Sequence, residues 1–141
     1  MHAGILTVGG VTGYGGVDGG SVSTVEIFNP RSGRSCKISD IPVATDGLSL
    51  CGNLACGGRN SPKSCFLFDG AGTFTALSVT LREQRVEHLC WQLQNGSVLL
   101  LGGKYSGTTT EILPADGSSS TADFNLPYNI RFVLNLMTNN D

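Results

Sequence analysis

The chain has 141 residues, a formal net charge of −2 and only 14% charged residues, too sparse for the clustered Lys and Arg that a phosphate backbone requires. No apolar run reaches the roughly 18 residues of a spanning helix, and Met1-His2-Ala3-Gly4 lacks the basic and apolar regions of a signal peptide. A chain of this length is one domain, or part of one, and buries roughly two thirds of its unfolded surface, enough for a core.

In chain order, Ile5 to Gly10 reads as a buried strand, a short apolar run without alternation that ends in Gly9-Gly10. Val11 to Val22 is a glycine-rich connection. Its Gly13-Tyr14-Gly15-Gly16-Val17-Asp18-Gly19-Gly20 fits no register of a phosphate-binding glycine loop and leads into a strand, not a helix. It is read as a surface loop, with Tyr14, Val17 and Asp18 as candidate partner contacts. Ser23 to Phe28 is the second strand, Asn29-Pro30-Arg31-Ser32-Gly33 a turn, and Arg34 to Ile38 the returning strand. Pro42, unable to donate to a central ladder, leads the chain out.

The order then repeats. Leu48 to Cys51 opens a unit and Asn53-Leu54-Ala55-Cys56 runs to Gly57-Gly58; Ser64 to Phe68, the turn Asp69 to Gly72 and Thr73 to Leu77 follow, with Leu81 in the place of Pro42. A third unit opens with Glu87 to Leu93, turns at Gln94-Asn95-Gly96-Ser97 and runs through Val98 to Gly102-Gly103. Asn-Gly between two strands predicts a type I′ hairpin, in which both central residues need positive φ. Thr109 to Leu113, the turn Ala115 to Gly117 and Thr121 to Asn125 complete the unit, and Ile130 to Leu136 fits the first strand of a fourth. The expected units are therefore 1–47, 48–86 and 87–129, with the start of another over 130–141. Apolar runs closed by paired glycines at near-even intervals mark a repeat architecture, and each doublet suggests positive φ or close backbone approach at a strand end.

The double glycines, the matching Val25-Glu26-Ile27-Phe28 and Thr110-Glu111-Ile112-Leu113, and Arg85 and His88 ahead of Trp91 together resemble the kelch repeat family. That resemblance implies an all-β fold, an incomplete β-propeller of about three kelch-type blades of antiparallel strands. It also implies that Arg85 and His88 satisfy backbone carbonyls between strands. The Arg position holds Asp46, Arg85 and Arg131 in successive units, so the repeats are divergent. The cysteine pattern is similar to that of cysteine-bearing invertebrate kelch proteins, many predicted to be secreted, which favours an extracellular setting. Three copies fall short of the four to eight blades of a closed propeller, so a longer natural protein, or self-association that completes the ring, is expected.

The five cysteines are Cys36, Cys51, Cys56, Cys65 and Cys90. With no C-x-x-C pair and two histidines, no metal site or cofactor is expected. Cys56 and Cys65 flank one loop between neighbouring strands, a geometry that suits a disulfide in an oxidising compartment and would stabilise by about 2–3 kcal/mol. Cys51 and Cys90 are read as buried thiols. Asn95-Gly96-Ser97 is a glycosylation sequon, which the hairpin turn explains without a glycan. His88 and Cys90 share a strand face, but no third group orients them as base and nucleophile.

The expected function is a non-enzymatic scaffold that binds a protein or glycan partner through inter-strand loops. A copper radical oxidase, similar in fold to kelch propellers, would need two histidine ligands and a crosslinked Tyr-Cys pair. A ubiquitin-ligase adaptor would need a BTB domain. Fold alone does not choose among these.

Overall fold

The computed structural model describes residues 5–11, 20–116 and 118–128. Eleven strands and no helix occur among them, in three antiparallel sheets built from strands that neighbour one another in sequence. The first sheet is β1 (Ile5–Val11), β2 (Ser21–Asn29) and β3 (Arg34–Lys37). The second is β4 (Leu48–Cys51), β5 (Leu54–Gly57), β6 (Cys65–Phe68) and β7 (Phe74–Ala76). The third is β8 (Leu89–Gln92), β9 (Val98–Leu101), β10 (Thr109–Leu113) and β11 (Thr121–Asn125). None of the three closes on itself into a barrel.

The ladders repeat from sheet to sheet. Glu26 stands opposite Thr7, Phe66 opposite Ala55 and Glu111 opposite Leu100, so β2, β6 and β10 are equivalent, and each is flanked on both sides. β2 begins two residues earlier than the alternation suggests, because Val22 pairs with Gly10 and Ser21 with Val11 past an irregularity in β1. Ile130 to Leu136 lies outside the described residues.

Two apolar layers lie between the sheets. Val25 and Ile41 meet Ala55, Phe66, Phe68 and Phe74 in one, the last two with ring centroids 5.0 Å apart. Leu81, Val98, Leu100 and Leu113 meet Cys51, Cys56 and Cys65 in the other. The copied glycine-ended strands differ in burial. Ala55 and Cys56 in β5 are both buried, as expected of a strand covered on two faces, whereas β9 alternates, with Val98 and Leu100 buried and Leu99 and Leu101 half-buried.

The linkers correct two alignments. Ile41 N–H donates to Ser23 O and Leu81 N–H to Lys63 O, each acceptor two residues before its strand's buried position at Val25 or Cys65. Leu81 therefore takes the place of Ile41, not Pro42, and both side chains are 2% exposed. Thr45 N–H donates to Val22 O as Arg85 N–H does to Pro62 O, so Thr45, not Asp46, occupies the Arg85 position. The threonine is fully buried there, and a Cβ on Gly58 would collide with its Oγ1, so the glycine makes room for it.

The β8–β9 turn is also corrected. Gly96 has φ +83°, but Asn95 does not have positive φ, so the turn is not type I′. Gly96 N–H donates to Leu93 O at 2.9 Å and Leu93 N–H to Ser97 O at 2.8 Å. This is the longer hairpin loop, a type I turn followed by a left-handed glycine. The β8–β9 pairing itself, Gln92 opposite Val98, is as the sequence indicates. A two-residue loop, Gly52-Asn53 with Gly52 at φ +56°, closes β4–β5.

Candidate functional site

Gly57, Gly103, Arg85 and His88, four residues of the repeat signature, converge where the second and third sheets meet. Gly57 and Gly58 have φ of +73° and +102°, Gly102 and Gly103 of +61° and +107°. A Cβ on Gly57 would lie 2.4 Å from Arg85 O and 2.8 Å from His88 Cε1, and one on Gly103 would lie 2.8 Å from Val86 O. The glycines thus let the 82–88 linker press against both strand ends, and Gly58 N–H donates to Arg85 O at 2.9 Å. Gly9 and Gly10 lie in β1, where Gly10 pairs with Val22.

Arg85 is fully buried and spends its guanidinium on the third sheet. Nε donates to Glu111 Oε2 at 3.2 Å, Nη1 to Gly102 O at 2.9 Å and to Thr109 O at 3.2 Å, and Nη2 to Thr109 Oγ1 at 3.2 Å. Glu111, 1% exposed, also accepts from the Arg82 N–H and the Ser120 hydroxyl. Burial lowers the guanidinium pKa while the Glu111 charge opposes that shift; arginine stays protonated regardless. In the preceding unit Asp46 accepts from the Ser21 hydroxyl at 2.6 Å and from Arg59 Nε at 3.1 Å. Its carboxyl is held below the ordinary value, first by Ser21 and then by Arg59.

His88 is buried, and among the described residues neither ring nitrogen has a hydrogen-bond partner. The expectation that it satisfies strand carbonyls is therefore corrected. It is wedged by shape against Gly57 and Gly103, and its backbone carbonyl accepts from the Ser49 hydroxyl. Burial, then the adjacent Arg85 cation, pushes its pKa down to about 3. The ring is neutral at ordinary pH. Trp91, half-buried on β8, stands opposite Leu99.

Four cysteines form two disulfides. Cys56–Cys65 joins opposed residues of β5 and β6, with Cα atoms 4.1 Å apart. The reading of Cys51 and Cys90 as buried thiols is overturned: they are bonded, with Cα atoms 6.0 Å apart. The bond runs between the first strands of two sheets, a proximity that alternation within either strand cannot reveal. Cys36 is free and exposed on β3.

Beside Cys51 the two sheets part into a cleft of about 530 Å³. Leu54, Leu67 and Leu77 of the second sheet's side face Val98, Leu113 and Pro114, and Gln92 and Asp116 supply polar groups. Leu67 remains 46% exposed. Sequence reasoning missed this cleft because Cys65-Phe66-Leu67-Phe68 is apolar at every position, so nothing in it marks Leu67 as the residue that faces outward. Tyr14, Val17 and Asp18 lie outside the described residues. Among the described residues no group of three His, Cys, Asp or Glu side chains is placed to hold a metal ion, and no helix is long and apolar enough to cross a membrane.

No protein-family model and no curated protein matches the chain. Among solved structures it is similar to one described as a novel fungal alcohol oxidase with catalytic diversity among the AA5 family, in complex with copper. The likeness has a TM-score of 0.56 at 16% identity, and covers 74% of this chain and 24% of that one. The chain thus spans about a quarter of the length of that structure, and at this identity the likeness is one of fold.

Proposed function

We propose that the chain is a run of three kelch-type propeller blades and acts as a non-enzymatic scaffold that binds a protein or glycan partner. The carrying observation is how the polar signature residues are spent. Arg85 and Glu111 saturate one another and the neighbouring backbone, and His88 is enclosed and neutral. That leaves recognition, not proton or group transfer, to the loops and to the apolar cleft, whose few polar groups suit orientation of a ligand. The three sheets in sequence order, with β2, β6 and β10 in equivalent places, support the blade reading.

The fold likeness to a copper-bound alcohol oxidase favours a second reading, a segment of a larger oxidase of that kind. The residues here do not fit copper: the chain has two histidines, His88 has its nitrogens sealed in the interior, and four of five cysteines are in disulfides. The test is to titrate the purified chain with Cu(II), follow it by electron paramagnetic resonance and assay peroxide release from primary alcohols. No stoichiometric nitrogen-coordinated signal and no peroxide is the expected result. A one-to-one site with oxidase activity overturns the scaffold reading.

A further inference from the structure

We propose that Asn95 is an N-linked glycosylation site, taking a preassembled oligosaccharide from a lipid pyrophosphate donor. The hairpin does not account for the asparagine. Asn95 lacks positive φ and occupies the third position of a type I turn, which most residues accept. What its side chain does in the fold is accept the Ser97 N–H at Oδ1, 3.0 Å away. Aspartate does the same in two other turns: Asp69 Oδ1 accepts from Ala71, Gly72 and Thr73, and Asp116 Oδ1 accepts from Ser118. The feature that distinguishes Asn95 is its amide nitrogen, which makes no hydrogen bond among the described residues and sits on an exposed residue.

Two residues on stands Ser97, and Asn95-Gly96-Ser97 is the chain's single Asn-x-Ser/Thr sequence without proline in the middle. The disulfides make the second argument. Cys51–Cys90 and Cys56–Cys65 form where thiols are oxidised, and secreted proteins meet the glycosyl donor on that same route. In the transfer, Asn95 Nδ2 bonds to the anomeric carbon of the first sugar and loses a proton. The bond from that carbon to the pyrophosphate oxygen breaks, and the lipid pyrophosphate leaves with the electron pair. No electrons are exchanged. Transfer occurs on the extended chain, before Ser97 is buried beneath Ala115, whose N–H its Oγ accepts at 3.3 Å. After folding, the sugar stands beside Gly96, at the mouth of the inter-sheet cleft.

The test is mass spectrometry of the chain isolated from the cells that make it, digested without reduction so that thiol state and Asn95 are read together. Treatment with peptide N-glycosidase in oxygen-18 water separates enzymatic release from spontaneous deamidation. The expected result is a hexose-bearing peptide containing Asn95, converted to labelled aspartate on release; Asn95→Gln abolishes the glycopeptide and Ser97→Thr retains it. Unmodified Asn95 overturns the proposal, whether the chain carries both disulfides or free thiols.

Discussion

At the scale of single residues, burial decides what the ionisable groups do. Unfolded His88 takes up a proton below pH about 6.5, whereas the folded ring resists it until about 3. The unfolded chain therefore binds more protons across that window, and stability is full above it and falls as pH drops through it. The slope approaches about 1.4 kcal/mol per pH unit. His88→Leu removes two buried nitrogens without partners, so it should flatten this acid slope while leaving neutral-pH stability unchanged or higher. Urea unfolding at a series of pH values checks both effects. Arg85 behaves oppositely. Arg85→Met strands Glu111 as an uncompensated buried carboxylate and should cost about 3–5 kcal/mol. The double change Arg85→Met with Glu111→Leu should recover much of that loss, because neither charge is then left alone. Additive losses in a double-mutant cycle would show that the two groups do not act as a pair.

Among the elements, the strand ends are the sensitive points. Gly57→Ala puts a Cβ against the Arg85 carbonyl at a left-handed position and should cost roughly 2–5 kcal/mol. Gly70→Ala, at φ +78° in open space, should cost roughly 1–2 kcal/mol. Thermal midpoints of the two variants measure the difference. These strand ends were legible in the sequence because a glycine doublet after an apolar run has a backbone cause that acts locally. Strand order and the β8–β9 pairing were legible for the same reason. What was not legible depends on residues brought together across sheets. Cys51 and Cys90 sit on separate first strands, so no period within either one announces the bond. Thr45 rather than Asp46 matches Arg85 because the linker's hydrogen bonds, not its spelling, set the register. The inter-sheet cleft exists because Leu67 faces outward from a strand whose other residues are buried.

For the whole molecule, the bonds are unevenly distributed. The second and third sheets share an apolar layer and a disulfide, whereas the first meets the second through an apolar layer, the Ser21–Asp46–Arg59 contacts and a few backbone hydrogen bonds, with no disulfide among the described residues, and its edge strand β3 is exposed at every position. Hydrogen exchange should therefore show the first sheet opening well before the other two. Replacing Cys51 and Cys90 with serine should cost about 4 kcal/mol, against about 3 kcal/mol for Cys56 and Cys65, since the longer closed loop restrains more of the unfolded chain. Comparable denaturant midpoints for the two double variants would contradict that ranking. The same bond has a mechanical side. If the chain is pulled from its ends, tension arriving at Cys51 crosses directly to Cys90 through sulfur, and the polypeptide between them carries no load. With 39 residues of separation bypassed, about 130–140 Å of contour length at roughly 3.3–3.6 Å per residue stays hidden. A reductant would release it as one added step in a force–extension trace, so the second sheet is a length reserve that thiol chemistry alone can unlock.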